Sequence, residues 1–494
     1  MTHRMTDGPR HAAHSPKAAS KNEGRYWAGA LGFLALVVAA TVGIAVRGST
    51  VGIDVTATPA PNAVVSGRSR IVLTFPTAMR TESVEGRLTV VPETATGAGD
   101  AVRGHWTWET GATRSDRVAQ FIPTAPLTPG VTYRVTLPHG ATATNGRSVQ
   151  GDRSWSFAVR AATLLFLRVN PTDRAAGRQL WSADADGGNL RQITQEPEGV
   201  LEFSPAPDGA RIAYTTQEGP QITALWAINS DGTGHTRLSP TGDPSGYATP
   251  AWSPAGDVIA YVLRGVIPNG TGGITLGTSK LWAVTPDGNA LGRIYGRGDE
   301  VGFAPVWSPD GTHLAFREQV DAQNNAAVVL SDLSPNPVKI AAGPGSRIAW
   351  SPDGTRAAYD ENTPDSGSGG GSRVVIVSAD GAAQYTLGGA DAAAPDWSPD
   401  GTRLVFASRA MRADGSPTVD IAVARVDGIG GVRRLFGGDG LTSADPAWSP
   451  DGQTIIATRF SARTGDDRGL WRVDADGTDA RLVIAGGERA VWVP

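Results

Sequence analysis

The sequence contains no cysteine, and this absence excludes disulfide scaffolds, thiolate metal sites and cysteine nucleophiles. It also lacks an excess of charge of either sign, since the formal net charge is −4 over 494 residues. The chain as a whole therefore lacks the strong positive charge that is typical of nucleic-acid-binding proteins. The patterns G-x-S-x-G, H-E-x-x-H and G-x-x-x-x-G-K-[ST] do not occur in the chain. The commonest hydrolase, metalloprotease and nucleotide-binding signatures are therefore missing, and we predict neither a cofactor nor a metal site.

Glycine and proline, in contrast, are abundant. The chain has 63 glycines and 34 prolines, well above the usual shares of about 7% and about 5%. These residues favour turns, so the strands between them must be short. Because 40% of the residues are apolar and the length exceeds that of one compact domain, we predict an all-β protein with two or three folded units.

One long uncharged apolar run occurs, at residues 27–46, and its length matches a hydrocarbon core about 30 Å thick. We predict a transmembrane helix; a cleaved signal peptide is the alternative, although its apolar region usually spans only about 7 to 15 residues. Residues 1–26 have no apolar period and are predicted to be a disordered tail. Basic residues are frequent in this tail and rare just after residue 46. The positive-inside rule therefore predicts a cytoplasmic N-terminus, with the bulk of the chain outside the cell membrane.

Residues 52–160 contain short runs in which apolar and polar residues alternate, for example at 70–75 and 155–159. Such runs predict strands, and a segment of this size with several of them is typical of a β-sandwich. We interpret the segment as a spacer without a binding site. Its predicted core consists of Phe75, Met79, Phe121, Leu127, Tyr133, Trp155 and Phe157.

A repeat occupies residues 161–494. Its most regular part is Trp-Ser-Pro-Asp-Gly followed by a strand such as Ile-Ala-Tyr. Four exact copies begin at residues 307, 350, 397 and 448, and two variants, FSPAPDG and WSPAGD, begin at residues 203 and 252. Pro-Asp-Gly favours a tight turn because proline presets φ, aspartate bonds the local backbone and glycine accepts a positive φ. A repeat of this length with four short strands predicts a β-propeller, in which neighbouring blades bury one another.

The number of blades depends on the two ends of this region. Residues 163–194 supply a second, third and fourth strand without a first, whereas residues 490–494 have the pattern of a first strand with nothing after it. If residues 489–493 pair with the first blade, the propeller has seven blades. If the terminal pieces do not pair, it has six.

The Trp-Ser-Pro-Asp-Gly repeats resemble those of the TolB-type β-propeller family. The segment 52–160, with LTFPTAM at 73–79, FIPTAPLTPGVTYRVTL at 121–137 and WSFAV at 155–159, resembles the bacterial Ig-like domains of S-layer and other surface proteins. The resemblance implies a propeller held at the cell envelope on an Ig-like stalk. TolB-type propellers bind partner peptides at the central channel, and related propellers serve as filters beside a catalytic domain or occasionally as enzymes.

The two faces of the predicted propeller differ. One carries short Asp-Gly turns, and the other carries variable loops at 264–279, 361–372 and 409–419, where we expect recognition. Side chains near the start of each first strand can approach the mouth of the channel. The predicted ligand-binding residues at these places are Glu202, Tyr247, Asp299, Glu300, Arg347, Asp391, Asp445, Glu488 and Arg489.

These patterns predict a membrane-anchored extracytoplasmic binding or scaffold protein that recognises a protein, a peptide or a surface glycan, and not an enzyme. Residues 161–494 carry a formal charge of −11, which disfavours nucleic acid and tolerates cations or basic peptides. The only histidines of this region, His235 and His313, lie in or beside the short turns, so a Ser-His-Asp triad has no base near the variable loops. Two alternatives stay open: a hydrolase or lyase that uses channel-mouth carboxylates, and a transmembrane sensor.

Overall fold

The computed structural model describes residues 53–493 apart from short gaps. The gaps are residues 66, 68, 95–96, 110–115, 125–126, 269–273, 296–300, 320–325, 335–336, 343–344, 346, 364–370, 388–390, 412–414, 416, 437–439, 462–463 and 465–467. The predicted tail at 1–26 and the predicted transmembrane helix at 27–46 lie outside the described residues. Within the described part of the chain, no helix is both long enough and apolar enough to cross a bilayer.

The first folded unit in the chain is a β-sandwich with one short helix. Its elements are β1 (Thr56–Thr58), β2 (Val64–Val65), β3 (Ile71–Thr74), α1 (Thr81–Glu85), β4 (Thr89–Thr94), β5 (Gly97–Ala98), β6 (Gly104–Trp108), β7 (Val118–Pro123), β8 (Thr132–Leu137) and β9 (Arg153–Val159). One sheet has the order β1-β3-β7-β6, and the other has the order β2-β9-β8-β4-β5. All pairs in these sheets are antiparallel except β2 with β9.

The core of the sandwich lies between its two sheets, where alternate residues of each strand point inward. Ile71 and Phe121 from one sheet pack against Val135 and Phe157 from the other. Of the seven predicted core residues, six are buried, and Trp155 is partly buried with its indole N–H donated to the carbonyl of Pro59 at 2.9 Å. The period-two pattern therefore predicted the core of the sandwich correctly.

Residues 163–493 form seven four-stranded antiparallel sheets, which we number I to VII in chain order. Sheet I contains β10 (Thr163–Asn170), β11 (Asp173–Asp184), β12 (Arg191–Gln192) and β37 (Gly487–Val493); sheet II contains β13 (Val200–Pro205), β14 (Arg211–Gly219), β15 (Ile222–Asn229) and β16 (Thr236–Arg237); sheet III contains β17 (Gly246–Trp252), β18 (Ile259–Pro268), β19 (Ile274–Val284) and β20 (Ala290–Tyr295). Sheet IV contains β21 (Val301–Trp307), β22 (Leu314–Gln319), β23 (Ala326–Ser331) and β24 (Val338–Ala342); sheet V contains β25 (Ile348–Trp350), β26 (Arg356–Thr363), β27 (Gly371–Ser378) and β28 (Gln384–Thr386). Sheet VI contains β29 (Ala392–Trp397), β30 (Arg403–Met411), β31 (Pro417–Arg425) and β32 (Val432–Phe436); sheet VII contains β33 (Leu441–Trp448), β34 (Thr454–Ser461), β35 (Gly469–Asp474) and β36 (Arg481–Ala485).

Seven apolar clusters lie between neighbouring sheets in this part of the chain. The cluster between sheets V and VI, for example, joins Val374 and Ile376 to Leu404 and Phe406, all at most 1% exposed. Each sheet is thus buried on both faces by its neighbours, which explains why its two inner strands read as apolar runs. The all-β prediction, with an Ig-like unit and a propeller, is confirmed.

In sheets I, IV, V and VI the tryptophan of the repeat donates its indole N–H to a carbonyl of the preceding sheet. The indole N–H of Trp397 in sheet VI donates to the carbonyl of Ala349 in sheet V at 3.0 Å, and the Arg356 guanidinium lies 4.8 Å from the centre of the same ring. Arg403 stacks in the same way on Trp448 of the next sheet, at 4.6 Å. The repeat tryptophans therefore act in packing between sheets.

The C-terminal strand closes the set of sheets. Strand β37 pairs with β10 from Thr163↔Val493 to Arg168↔Gly487, so sheet I has the order β12-β11-β10-β37. Glu488 of β37 accepts a hydrogen bond from Arg178 of sheet I at 2.9 Å and forms an ion pair with Arg468, which precedes β35 of sheet VII. One buried carboxylate thus joins the first sheet to the last.

This junction predicts an acid-sensitive contribution to stability. Burial by itself raises the pKa of Glu488, but the hydrogen bonds and charges of Arg178 and Arg468 outweigh it and hold the pKa below its ordinary value of 4.5. A lowered pKa in the folded state stabilises the protein above the unfolded-state pKa, and this stabilisation is lost as the pH falls through the folded-state pKa. We expect the denaturant midpoint of E488Q to fall less steeply than that of the wild type between pH 5 and about pH 3.

Unfolding curves recorded by tryptophan fluorescence at several pH values would measure this difference. The matched control is E198Q, because Glu198 is exposed. Equal slopes below pH 5 for the wild type and E488Q would show that Glu488 does not contribute.

Candidate functional site: the central cavity

The first strands of all seven sheets line one cavity of about 660 Å³. The lining includes residues of each first strand and, in sheets II, III and IV, a proline of the turn that follows it: Pro207, Pro254 and Pro309. The cavity therefore lies along the inner strands and extends toward the face of the short Asp-Gly turns. A volume of this size is typical of sites for small molecules or for a few residues of a peptide.

Strand register identifies seven equivalent positions in the cavity. Trp252 pairs with Ile259 and Trp397 pairs with Leu404, and in sheet II the residue paired in the same way is Pro205, opposite Ile212. In every sheet, the residue three positions before this tryptophan or its equivalent faces the cavity. We call these seven the ring positions: Glu202, Thr249, Ala304, Arg347, Ala394, Asp445 and Arg489.

A β-bulge accompanies the ring positions. Register shifts occur between Ala248 and Ala251 in sheet III and at the corresponding points of sheets I, IV, VI and VII. In sheet II the shift comes earlier, between Val200 and Glu202, and Glu202 stays paired in the ladder. Five ring residues have a positive φ, between 45° and 52°: Thr249, Ala304, Ala394, Asp445 and Arg489. A bulge with one left-handed residue turns that residue out of the ladder and redirects its side chain. The strain of this conformation is thus concentrated around the cavity, where a ligand would bind.

Because the bulge removes ring residues from the ladder, their backbone N–H groups need other acceptors. Glu202 Oε2 accepts the N–H of Thr249 at 2.6 Å, and Thr458 Oγ1 accepts the N–H of Arg489 at 3.0 Å. Asp360 Oδ1 accepts the N–H of Arg347 at 2.7 Å. Side chains of one sheet thereby fix the ring residue of the same or the next sheet.

Asp360 belongs to a buried ion pair behind the ring. Its Oδ1 lies 3.0 Å from Nη2 of Arg317, and the two side chains are 4% and 1% exposed. Arg317 lies in sheet IV and Asp360 in sheet V, and the same arginine also donates to the carbonyl of Arg347 at 3.3 Å. Burial lowers the pKa of Arg317, whereas the charge and hydrogen bond of Asp360 oppose that change. The pair therefore holds Arg347 in place from two sides.

The charged groups of the ring have an uneven distribution. Arg347 stands between the alanine positions of sheets IV and VI, whereas Arg489 of sheet I stands between Asp445 of sheet VII and Glu202 of sheet II. Among the described residues, no ion pair or side-chain hydrogen bond involves the guanidinium of Arg347 or Arg489 or the carboxylate of Asp445. These groups are available to a ligand, and they offer both signs of charge.

The structure brings four of the nine predicted ligand-binding residues together in the cavity: Glu202, Arg347, Asp445 and Arg489. Glu488 instead forms the buried ion pairs of the closing junction. Tyr247 is 4% exposed and belongs to the apolar cluster between sheets II and III, with its hydroxyl donated to Asp243 at 2.6 Å.

The other three predicted residues do not extend the site. Asp391 accepts the backbone N–H of Ser372 at 3.1 Å and does not line the cavity. Asp299 and Glu300 lie outside the described residues, as do the tips of the variable loops at 269–273, 364–370 and 412–414. His235 and His313 are not among the residues that line the cavity, and the His313 ring lies beside that of Trp350, with ring centres 5.9 Å apart and an angle of 44° between the planes.

Sequence reasoning missed the ring positions Thr249, Ala304 and Ala394. It favoured charged or aromatic residues upstream of the strands, whereas the structure selects the residue at a fixed offset of three before the tryptophan. That offset was present in the repeat and would have found all three. In sheet II the tryptophan position is held by Pro205 and not by Phe203, because the segment Ala206-Pro207-Asp208-Gly209 forms the turn.

Two domain-family models match the chain. The model described as the TolB beta propeller domain matches residues 293–494, and the model described as the Bacterial Ig-like domain matches residues 50–159. The Ig-like match coincides with the β-sandwich, and the propeller match covers sheets IV to VII and strand β37 of sheet I. The TolB-type and Ig-like resemblances inferred from the motifs are thereby supported.

Curated relatives share shorter stretches. A protein named Protein TolB homolog from Chlorobium luteolum is 26% identical over 183 residues, which is 37% of this chain and 36% of the relative. The Tol-Pal system protein TolB from Anaeromyxobacter dehalogenans is 45% identical over 47 residues, 10% of each chain. The chain thus spans about a third of the first relative and a tenth of the second.

Some solved structures are similar to parts of this chain at low TM-scores. TolB from Acinetobacter baumannii is 16% identical, with 74% of this chain and 80% of that chain covered and a TM-score of 0.41. The acylaminoacyl peptidase of Pyrococcus horikoshii is 10% identical, with 66% and 51% covered and a TM-score of 0.47. Similarity of this degree assigns neither a binding function nor an activity.

Proposed function

We propose that this protein is a membrane-anchored extracytoplasmic binding protein, and that its seven sheets form a seven-bladed propeller that binds a segment of a partner protein or peptide in the central cavity. The observation that carries the proposal is the cavity itself, which all seven sheets line with a ring of equivalent positions. Protein-binding at the envelope also agrees with the curated relatives, which are TolB proteins.

The chemistry of the ring supports a peptide ligand. Arg347, Arg489 and Asp445 have free charged groups, as described above, and the walls between them are small or apolar, such as Ala349 and Val306. A peptide presents backbone amides and side chains of both charges, so it can use such a mixed ring. The sequence favours the variable-loop face as the binding surface, whereas the cavity extends toward the opposite face. An experiment must therefore distinguish the two surfaces.

A glycan is a weaker candidate for this cavity. Sugar rings usually stack on exposed aromatic faces. Four tryptophans line the cavity: Trp252, Trp350 and Trp492 are 7–8% exposed, Trp307 is partly buried, and all four pack between sheets. Little aromatic surface is left for stacking.

A peptide-display experiment tests the proposal. The full chain would be used to select binders from a random nonapeptide library, and affinities would be measured by fluorescence polarisation. We expect the R347A/R489A double variant to lose at least about tenfold in affinity for the selected peptides, since each substitution removes a charge-assisted hydrogen bond.

The matched control is R174A, because Arg174 is exposed and does not line the cavity. Its affinities should equal those of the wild type. A second variant, in which residues 364–370 are replaced by a short glycine-serine linker, tests the variable-loop face. If the selected peptides no longer bind the loop variant but still bind R347A/R489A, the binding site lies at the loops, and the proposal that the cavity binds the peptide is wrong.

The anchor belongs to the same proposal and has its own test. The apolar run at 27–46 supports a single-pass helix with a cytoplasmic N-terminus. We expect the full chain to stay in the membrane pellet after carbonate extraction and to be digested by protease added outside the cells. Recovery of the full-length chain in the soluble fraction would contradict the anchor, and a shortened N-terminus in the mature protein would identify a cleaved signal peptide.

A further inference from the structure

Arg347 presents an accessible and unpaired guanidinium to the cavity. The residue lines the cavity and is only partly buried. Among the described residues, no hydrogen bond or ion pair involves its guanidinium. Its nitrogens are also absent from the fully buried polar atoms that lack a hydrogen bond, so they keep contact with solvent. A ligand in the cavity can therefore reach this group.

The backbone of Arg347 is held firmly, although its charge is unused. Its N–H donates to Oδ1 of Asp360 at 2.7 Å, and its carbonyl accepts Nη2 of Arg317 and the N–H of Asp360, both at 3.3 Å. Arg317 and Asp360 form the buried ion pair behind the ring. The side chain of Arg347 thus extends from a fixed point, and a preorganised group loses less entropy when it binds a ligand.

The two arginines of the ring have different neighbours. Arg489 of sheet I stands between Asp445 of sheet VII and Glu202 of sheet II, so both adjacent ring positions carry a negative charge. Arg347 of sheet V stands between Ala304 of sheet IV and Ala394 of sheet VI. The charge of Arg489 is therefore balanced within the ring, whereas that of Arg347 has no counter-charge at either adjacent position.

Asp396 of sheet VI is the remaining carboxylate among the described residues that line the cavity. Its Oδ2 accepts the N–H of Trp448 in sheet VII at 2.8 Å. The Asp396 carboxylate is thus bonded to the sheet on the side away from Arg347. The cavity therefore contains one positive group whose counter-charge has to come from outside the described residues.

We infer that Arg347 binds a carboxylate of the partner peptide, either its C-terminus or an aspartate or glutamate side chain. A guanidinium has a rigid fork of N–H donors, which matches the two oxygens of one carboxylate. Ala304 and Ala394 carry only a methyl group beside this fork, so they leave space for the incoming group. This inference rests on the proposed function, because it names the group that the peptide brings to the cavity.

A phosphate group fits the position less well than a carboxylate. Phosphorylated side chains carry about two negative charges and are usually bound by several basic groups. Here a single guanidinium stands alone, and the formal charge of −11 over residues 161–494 repels a ligand with several negative charges. A peptide that is neutral or basic elsewhere and brings one carboxylate matches both the local positive charge and the acidic surroundings.

The test uses peptides that the full chain selects from a random nonapeptide library with free C-termini. Each peptide is then synthesised in three further forms: with an amidated C-terminus, with every Asp and Glu replaced by Asn and Gln, and with both changes. We expect loss of the bound carboxylate to weaken binding to the wild type by at least about tenfold in fluorescence polarisation. The singly changed forms distinguish a C-terminus from an acidic side chain.

A double-mutant cycle with R347M locates the carboxylate. The variant keeps the backbone bonds of residue 347 and removes only the guanidinium, so its melting temperature should match that of the wild type. We expect R347M to bind the unmodified peptides about tenfold more weakly and to lose nothing further when the carboxylate is removed. R347K keeps the charge without the fork and should recover part of the affinity.

The matched control is R489M, which removes the other arginine of the ring. Its affinity for the unmodified peptides should fall, because Arg489 also faces the ligand, but removal of the carboxylate should still cost about a further tenfold. If the carboxylate dependence is instead lost in R489M and kept in R347M, the carboxylate binds Arg489 and the inference is wrong.

The remaining outcomes distinguish this inference from the function on which it rests. Peptides that require Arg347 and Arg489 but bind equally well without any carboxylate would overturn the carboxylate site and leave the cavity as the binding site. A carboxylate that is required equally by the wild type, R347M and R489M would lie elsewhere and would also overturn the inference. Peptides that bind independently of both arginines would overturn the proposed function itself.

Discussion

Deletion of residues 487–494 is expected to abolish cooperative unfolding of the propeller. Strand β37 is the inner strand of sheet I, so its loss exposes the edge of β10 and removes Trp492 and Ala490 from the cluster between sheets VII and I. Truncation of one buried tryptophan to alanine already costs about 3–5 kcal/mol, and the deletion also removes the Glu488 junction. We expect the guanidinium transition, followed by tryptophan fluorescence, to broaden and to shift far below that of the wild type.

The comparison variant for this deletion is W492F. Phenylalanine keeps most of the packing and removes only the 3.4 Å hydrogen bond from the indole N–H to the carbonyl of Ala447. Its midpoint should shift by the equivalent of about 1 kcal/mol. A deletion variant that unfolds with the midpoint and slope of the wild type would show that β37 is not needed to close the propeller.

The second large effect is expected for Asp360→Ala. This substitution leaves Arg317, at 1% side-chain exposure, without its buried counter-ion and removes the acceptor for the N–H of Arg347. Loss of one partner from a buried ion pair typically destabilises a protein by about 3–5 kcal/mol, because the remaining charge stays desolvated. Urea unfolding should therefore show a midpoint well below that of the wild type, and peptide binding at the ring should weaken as well.

Two controls distinguish the buried pair from a general effect of charge. D427N removes a carboxylate that is exposed to solvent and paired with Arg425, and it should leave the midpoint unchanged. The double variant R317M/D360L replaces both charges by apolar groups of similar size and should recover much of the lost stability. If D360A unfolds at the same urea concentration as the wild type, the pair does not stabilise the contact between sheets IV and V.

Local sequence patterns were sufficient to predict the turns and strands of this protein. The Trp-Ser-Pro-Asp-Gly motif predicted the first turn of each sheet, and the structure shows the expected positive φ at its glycine, for example 75° at Gly311. The period-two runs of the sandwich predicted a core that includes Phe75 and Phe157, both at most 2% exposed. Such features depend on residues close in the chain, so a single sequence is enough to read them.

The candidate site was predicted only in part. Glu202 and Arg347 were placed at the channel on the basis of their charge and their position near the first strands, and they do line the cavity. Tyr247 lay equally near a first strand, but its side chain points into the core between sheets II and III. A one-residue shift of register turns a side chain to the other face of a strand, and the bulges that set the register here are not marked by glycine.

The sequence by itself thus determined the kinds of folded unit, the period of the sheets and the packing role of the repeat tryptophans, because propensity, turn chemistry and apolar periodicity act over a few residues. Only the tertiary structure decided which residues meet. Arg317 and Asp360 are 43 residues apart, and Glu202 reaches Thr249 across 47 residues. These contacts arise when neighbouring sheets bury their apolar faces against each other, and that packing, rather than any local pattern, brings the charged and hydroxyl groups to one cavity.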